Sequence, residues 1–243
     1  MKSRLYIILT SITLTLFAFG CKKEKTEFTL PVLYDSIVDI EGNVYKTVLI
    51  GNKWWMAENL RVKKFRNGLD IINAQLNSKW TKNQSGYCLY DDNQNSPGLL
   101  YNWYALNDSS KLAPKGWHIP SDDEWKELEK HLKMNPEDAD RYGWRGNNTA
   151  EKLKIESPLH WISKSDVWST NESGFKALAG GCRLPDARWG NPGLSASGFW
   201  WTSTPYENDN NQAVYRNLDY KNSKVFRSFA SKNYGFSIRC IKD

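Results

Sequence analysis

The sequence predicts an α+β fold in which short antiparallel strands and long irregular loops surround one main helix, at about residues 121–133. Three observations predict this class. One segment combines a helix cap with a single apolar stripe, and alternating apolar segments occur towards both ends of the chain. Aromatic residues are frequent, with 12 Trp, 12 Tyr and 9 Phe among 243 residues, whereas the aliphatic segments typical of a parallel sheet are nearly absent after residue 20. This length suits one sizeable domain, which we predict over residues 34–243.

The predicted helix begins at a capping box. The Ser121 hydroxyl can accept a hydrogen bond from the backbone of Glu124, whose carboxylate reaches back to Ser121. Trp125, Leu128 and Leu132 follow at helical spacing and form one apolar stripe that must be buried. The acidic residues of the first turn complement the positive end of the helix dipole. We therefore interpret these acids as structural rather than catalytic.

The first part of the chain is typical of an export signal. Residues 1–20 combine a basic start with an apolar stretch that is short for a membrane span. Residues 18–21 resemble a bacterial lipobox, after which Cys21 would be acylated, and an ordinary secreted protein is the alternative. Residues 21–33 are polar and predict a tether. The sequence thus predicts a protein anchored by lipid in the bacterial cell envelope, with the outer membrane as the expected site. A Cys21→Ala variant should leave the membrane fraction.

Strand-forming residues occur near both ends of the predicted domain. Residues 39–61 predict an antiparallel meander of aromatic and β-branched residues around two turns. Closing strands are predicted at residues 199–202, 213–218, 224–229 and 235–241. The last of them should pair near the start of the domain, because domain termini often lie close together. The polar segment 62–86 is interpreted as an irregular connection.

A loop rich in oxygen-bearing side chains suggests a weak calcium site. Asp91, Asn93 and Asn95 match the first, third and fifth positions of a calcium loop. However, Ser96 stands where Gly is expected, and Asn102 where a bidentate Glu would close the site. Turns rich in Asn and Asp also form without metal, so a structural turn is the alternative. No other cofactor is predicted.

Charge and motif content argue against several classes of function. The formal charge of +6 falls to +4 when the two basic residues of the leader are removed, and acidic and basic residues are interleaved, so no nucleic-acid partner is predicted. No phosphate-binding loop, dinucleotide fingerprint or nucleophile elbow occurs. The three histidines lack zinc-ligand spacing, and His118 is interpreted as a packing residue beside the helix cap. Catalysis is therefore not favoured.

Aromatic rings beside amides and acids in loops favour carbohydrate binding. A ring can stack on the apolar face of a sugar while polar side chains bind its hydroxyls. The candidate residues are Trp189, Trp200, Trp201, Tyr206, Asn208 and Asp209. Core packing is the alternative for each Trp. Alternation places Trp200 and Trp201 on opposite faces of a strand, so at most one is expected in the core of a one-sided sheet. Trp189, in a loop with Gly and Pro, is expected to be exposed.

Eight blocks of the chain together resemble a known family, the Fibrobacter succinogenes major paralogous domain of bacterial surface and exported proteins. The blocks, in the family's order, are DIEGNVYKTVLIGNKWWMAENLR, YCLYDDN, GLLYNWYAL, LAPKGWHIPSDDEWKELEKHL, EKLK, NESGFKALAGGCR, FWWTST and GFSIRCIKD. They cover nearly all of residues 39–243. The resemblance implies a C-type lectin-like fold with the terminal strand beside the first, and it implies no particular reaction.

The resemblance also implies a disulfide between Cys88 and Cys240, which belong to two of the family blocks. Cys182 would then be a buried free thiol. Formylglycine-generating enzymes, which belong to the same fold group, use two thiols with a copper ion. Cys182 and Cys240 match no such motif, so we do not expect thiol or copper chemistry.

These observations favour an extracytoplasmic binding or interaction module on a lipid anchor, with carbohydrate as the expected ligand class. Its expected partners are the membrane, through the lipid, and a glycan or a surface protein. Two alternatives remain, an enzyme acting on envelope or other polysaccharide and a structural surface protein without a small ligand.

Overall fold

A computed structural model describes residues 31–93, 96–164, 166–190 and 193–243. The predicted signal peptide and the predicted lipidation site at Cys21 lie outside these residues. Val32–Asp243 form one compact unit. None of the helices in the described ranges is long and apolar enough to cross a membrane.

Short strands and short helices alternate along the described residues, which confirms the predicted α+β composition. The strands are β1 (Tyr34–Val38), β2 (Val44–Ile50), β3 (Lys53–Met56), β4 (Ile72–Asn73), β5 (Gly86–Cys88), β6 (Leu100–Tyr101), β7 (Trp117–His118), β8 (Gly143–Arg145), β9 (Ser197–Pro205), β10 (Gln212–Asp219), β11 (Val225–Ser231) and β12 (Ile241–Lys242). The helices are α1 (Asn77–Trp80), α2 (Trp103–Leu106), α3 (Asp122–His131), α4 (Pro136–Asp140) and α5 (Thr149–Leu153), with a 3₁₀ turn at Tyr90–Asp92.

The strands of the described residues form three sheets. One has the order β1-β2-β3-β12-β7, a second has the order β8-β11-β10-β9, and a third has the order β4-β5-β6. In the first sheet Ile241 of β12 lies opposite Trp55 of β3 and His118 of β7. The last strand joins the first sheet as predicted, but it is confined to Ile241–Lys242 rather than residues 235–241, and it pairs with β3 and β7 rather than with β1.

The main helix, α3, has the predicted cap. The Ser121 hydroxyl accepts from the Glu124 backbone N–H at 3.2 Å, and the Glu124 carboxylate accepts from the Ser121 N–H at 2.8 Å. His118 lies beside this cap, with its Nε2 atom 2.9 Å from the Glu124 carboxylate and its Nδ1 atom 2.7 Å from Asp243. The capping box is confirmed, and His118 lies next to the cap as predicted, bonded to two carboxylates rather than buried by packing.

Helix α3 covers one face of the four-stranded sheet. Trp125 and Leu128 of the helix share a buried cluster with Trp200 of β9 and Trp55 of β3. The rings of Trp55 and Trp125 are 5.3 Å apart in an edge-to-face arrangement. The apolar stripe of the helix is thus buried between two sheets, as its spacing predicts.

The opposite face of the four-stranded sheet is covered as well. Trp201 packs against Phe236, with 4.4 Å between the ring centroids, and its indole N–H donates to the Tyr101 carbonyl at 3.0 Å. The indole of Trp200 donates to Asn59 at 3.0 Å. Both tryptophans are 0% exposed. The expectation that at most one would be core is wrong, because the chain around Phe236 covers the second face.

Residues 62–86 are more ordered than their polarity predicts. They contain strand β4 and helix α1 and contribute five buried apolar side chains: Val62, Phe65, Ile71, Ala74 and Trp80. These side chains are separated by turns rather than by a regular period, so neither the helical nor the strand pattern is visible in the sequence.

An ionic cluster lies in the interface between α3 and the sheet. It consists of Asp122, Glu129, Arg145, Arg216 and Arg227, all buried. The two acids are seven residues apart, two turns of one helix face. Glu129 accepts from Arg145 at 2.6 and 3.0 Å and from Arg216 at 2.8 Å, while Asp122 accepts from Arg216 at 2.7 Å and from Arg227 at 2.6 Å. Asp122 therefore does more than complement the helix dipole, since it fixes two strands to the helix.

Candidate functional site

The predicted carbohydrate-binding residues do not form one site. Trp200 and Trp201 are enclosed in the core and cannot meet a ligand. Trp189 lies near the start of β9. It forms a β-bridge with Arg183, and Gly181, two residues before Arg183, forms a β-bridge with Gly198 of β9. Tyr206 follows the other end of β9, which is nine residues long, so roughly 25–30 Å of strand separates the two positions.

Trp189 is half-buried rather than exposed, contrary to expectation. Its ring lies 4.9 Å from the Tyr90 ring, and the Arg183 guanidinium lies 4.9 Å from its centroid. Trp80 lies at the same distance from Arg183, which is 1% exposed. The two tryptophans thus enclose a buried cation. Trp189 therefore takes part in this packing and keeps only part of its surface exposed.

Tyr206, Asn208 and Asp209 do lie together, in the turn between β9 and β10. The Asn208 amide donates to the Tyr206 hydroxyl at 3.2 Å. Asp209 accepts from the Asn211 backbone at 2.9 Å and from the Gln212 amide at 2.8 Å, and these bonds hold the pKa of its carboxyl below the usual range. Half of the predicted set is therefore brought together, on a turn that Asp209 organises.

Three rings beside this turn form a tyrosine platform, defined as Tyr142, Tyr206 and Phe229. Tyr206 stacks on Phe229 with 3.8 Å between centroids and 11° between planes. Tyr142 stands edge-on to both, at 6.3 Å from Tyr206 and 5.6 Å from Phe229. Tyr142 is 44% exposed, and the other two rings are partly exposed. The platform presents aromatic surface to solvent in a fixed arrangement.

The ionic cluster contacts the platform through Arg227. The Arg227 guanidinium lies 4.0 Å from the Tyr142 ring centroid and donates to the Asp140 carbonyl at 2.8 Å. Arg227 is itself held by Asp122. Burial alone would raise the pKa of Asp122, but the hydrogen bonds and charges of Arg227 and Arg216 outweigh it and hold this pKa well below the usual range. One face of Tyr142 thus rests on a fixed cation.

Polar side chains border the platform. Glu207, Asn208, Asn210 and Asn211 are all exposed in the β9–β10 turn. Lys232 donates to the Asn210 carbonyl at 2.6 Å and so ties the turn to the end of β11. Amide side chains can both donate to and accept from hydroxyl groups. Partly exposed rings and exposed amides thus lie side by side on this surface.

A second group of partly exposed rings lies on the face of the same sheet opposite α3. Trp144 is 5.0 Å from Phe226, Phe226 is 6.3 Å from Tyr215, and Tyr215 is 6.1 Å from Phe199. Trp144 is the most accessible of them, at 37%. These rings continue into the core through Phe236, which is stacked on Phe199 at 5.2 Å. A test of ligand binding therefore needs variants that distinguish this surface from the tyrosine platform.

The calcium loop is described only in part. Asp91 is exposed with a left-handed backbone, φ 49°, whereas Asn95 lies outside the described residues. Within those residues no group of three or more His, Cys, Asp or Glu side chains is placed to hold a metal ion. Calcium binding by Asp91 and Asn93 stays a prediction.

The disulfide that the resemblance implied is not formed in the structure. Cys240 carries a free thiol and packs in a different core cluster from Cys88. Cys88 lies opposite Leu100, and the next residue, Tyr101, bridges to Phe236, four residues before Cys240. Four residues of extended chain span about 13 Å. A disulfide requires Cα atoms within about 7 Å, so the strand pairing keeps the two cysteines apart.

Cys182 is a buried free thiol, as expected. Burial raises the pKa of this thiol to about 12, so it stays protonated near neutral pH. A Cβ atom added at Gly190 would overlap the Cys182 sulfur, which shows how closely the chain approaches it. This environment suits a packed side chain rather than a reactive one.

Tyr142 and Phe229 are the platform residues that sequence reasoning missed. Phe229 lies in a predicted strand, where alternation does not distinguish a rim position from a core position. Tyr142 lies in a turn far from Tyr206 in the sequence, and only the pairing of β8 with β11 brings the two regions together. The one local feature that could have indicated an exposed ring is that Tyr142 stands in a polar turn, directly before Gly143.

The fold and the surface together define an aromatic-rich α+β domain. Its main helix packs on a four-stranded sheet and is joined to the sheet by buried ion pairs. The chain belongs to the Fibrobacter succinogenes major domain family, whose model matches residues 48–242. This match confirms the resemblance of the eight sequence blocks. No curated protein and no solved structure matches the chain.

Proposed function

We propose that this chain is an extracytoplasmic, lipid-anchored binding module of C-type lectin-like fold, and that carbohydrate is its ligand. The observation that carries the proposal is the tyrosine platform. Its exposed Tyr142 ring is backed by the Arg227 guanidinium at 4.0 Å, and its Tyr206 ring is backed by Phe229 at 3.8 Å. Rings supported on one face and partly open on the other suit stacking against the apolar face of a sugar.

The flanking turn supplies the polar half of such a site. The exposed amides of Asn208, Asn210 and Asn211 can bind sugar hydroxyls, whose donors and acceptors they match. Little conformational entropy is lost on binding, because the rings are already packed and Asp209 already orders the turn. Preorganisation of this kind favours affinity for a weakly apolar ligand.

Two acids near the platform are committed to its framework, which supports binding rather than hydrolysis. Asp122 is buried and bonded to two arginines, and the Asp209 carboxylate accepts from two groups of its own turn. A general acid must hold a proton at the working pH, and a carboxyl whose pKa is lowered has already lost its proton there. These two acids therefore serve the framework of the site.

Export and lipidation at Cys21 complete the proposal. The lipobox-like residues 18–21 and the polar tether support them. A domain held at the envelope surface by lipid would present the platform to extracellular glycans.

The test is a glycan array followed by titration of the best ligand with matched variants. Tyr142→Ala should weaken binding about tenfold, equivalent to about 1.4 kcal/mol, because it removes the stacking surface. Tyr142→Phe keeps the ring and should bind nearly as well as the parent. Trp144→Ala removes an exposed ring from the opposite face of the sheet and should bind like the parent. Equal losses in Tyr142→Ala and Trp144→Ala, or no binding to any glycan, would contradict the proposal.

A further inference from the structure

A separate pocket lies away from the tyrosine platform and shares no residue with it. It has a volume of about 550 Å³ and is bordered by the β1–β2 turn, the chain after β3, strands β4 and β5, and residues 96–99. This volume falls within the range of roughly 300–1,000 Å³ found for small-molecule sites. The charged residues among those that line it are Glu41, Arg61 and Lys63.

The walls of this pocket are held by internal hydrogen bonds. Asp39 accepts from the backbones of Glu41 and Asn43, both at 2.9 Å, and from the Tyr45 hydroxyl at 2.7 Å. On the opposite side, the Gln75 amide exchanges two hydrogen bonds with the Leu89 backbone, at 3.2 and 2.9 Å. The pocket therefore exists before any ligand binds.

Two cations and one acid face the pocket. The Glu41 carboxylate accepts from the backbone N–H of Lys63. Arg61 is fixed over the Tyr45 ring at 4.3 Å and uses two of its N–H groups on Glu58 and on the Val44 carbonyl, at 3.1 and 2.6 Å. A guanidinium has five N–H donors, so three remain.

The Lys63 side chain is the least engaged of these groups. It is exposed, and no described residue forms a hydrogen bond or ion pair with its ammonium group. The Tyr87 hydroxyl is a further donor, since burial first, and then the charges of Glu41 and Asp70, raise its pKa above the usual value. Asn73 also lines the pocket and is exposed, and its amide oxygen accepts from the Gln75 backbone N–H at 3.1 Å, which leaves its NH₂ group as a donor. The lining therefore offers an ammonium group, a guanidinium group, a phenol hydroxyl and an amide NH₂ group as donors.

We infer that this pocket binds a sugar acid, with the ligand carboxylate on Lys63 and Arg61 and the hydroxyl groups on the amides and Tyr87. A carboxylate supplies the acceptors that a donor-rich, net positive lining requires. The neutral amides and the ring suit the sugar part of the ligand. The pocket is independent of the tyrosine platform. A neutral glycan bound at the platform would therefore not compete with a sugar acid bound in the pocket.

The test uses calorimetric titration of the full chain with three probes: glucuronate, glucose and acetate. Glucuronate should bind more tightly than either of the others, because only it combines the carboxylate with the hydroxyl groups. Lys63→Gln should weaken glucuronate binding about tenfold and leave glucose unaffected, and Lys63→Arg, which keeps the charge, should restore it. Lys64→Gln is the matched control, since Lys64 pairs with Asp70 at 2.5 Å and does not line the pocket.

Three results would overturn the inference. These are no heat with glucuronate, acetate binding as tightly as glucuronate, and equal effects of Lys63→Gln and Lys64→Gln. Tyr142→Ala should leave glucuronate binding unchanged. Failure at one site is therefore distinguishable from failure at the other. Because Lys63 is exposed and without a side-chain partner among the described residues, its replacement should not disturb folding.

Discussion

Replacing Glu129 by Gln should strongly destabilise the fold, because this carboxylate neutralises arginines inside the ionic cluster. Glu129 is 0% exposed and accepts three hydrogen bonds, two from Arg145 and one from Arg216. Gln keeps the shape but has one acceptor oxygen, and its NH₂ group would face an arginine donor. Arg216 and Arg227 would then share the Asp122 carboxylate, and Arg145 would keep no carboxylate partner.

The expected loss in the free energy of unfolding is about 3–5 kcal/mol, the usual effect of removing one partner from a buried ion pair. A slope of about 3 kcal/mol per molar urea converts this loss into a decrease of about 1–1.7 M in the unfolding midpoint. Glu127→Gln is the matched control, since Glu127 lies on the exposed face of the same helix. It should change the free energy by less than about 0.5 kcal/mol.

Equilibrium urea unfolding followed by tryptophan fluorescence measures both variants. A loss below about 1 kcal/mol in Glu129→Gln would refute the reasoning, because it would mean that the buried arginines do not need this carboxylate. Equal losses of unfolding free energy in Glu129→Gln and Glu127→Gln would also refute it, because the loss would then come from a change in the helix and not from the ionic cluster.

Two further predictions concern acid stability and a tight turn. The pKa of Asp122 is lowered on folding, so its charge stabilises the protein above the unfolded pKa of 3.8, and this contribution is lost as the pH falls below that value. The difference in melting temperature between the parent and Asp122→Asn should therefore be smaller at about pH 3 than at about pH 6. A difference that does not change with pH would argue against the assignment. Gly174→Ala should cost about 1–3 kcal/mol in urea unfolding, since φ is +70° and a Cβ atom would lie 2.7 Å from Val32 and 2.8 Å from the Tyr34 hydroxyl. Gly116→Ala, with φ +78° and no atom within 4 Å, controls for the backbone alone, and an equal cost in both variants would disprove the packing account.

Local features were predicted well because their causes are local. The capping box of Ser121 and Glu124 satisfies backbone groups within one turn, so four residues are enough to place the start of α3. Strands β10 and β11 were predicted at nearly their observed positions because alternation is visible within each strand, while only the centre of β9, residues 199–202, was predicted. The family blocks added the order of elements.

Burial on both faces of a sheet could not be predicted in this way. Alternation correctly placed Trp200 and Trp201 on opposite sides of β9, but the second side is covered by a segment some 35 residues later in the chain, at Phe236. A period of two residues says which side chains share a face. It does not say what packs against that face.

The amino-acid sequence by itself determined the α+β class, the capped helix, the main strands and the family. It also placed Tyr206, Asn208 and Asp209 on one turn, because they are neighbours in the chain. Only the tertiary structure decided that Arg216 and Arg227 would join the acids of α3, that Tyr142 would meet Tyr206, and that Cys88 would lie apart from Cys240. The physical reason is that caps and alternation act within a few residues, whereas ion pairs, stacked rings and pockets depend on strand pairings between distant parts of the chain.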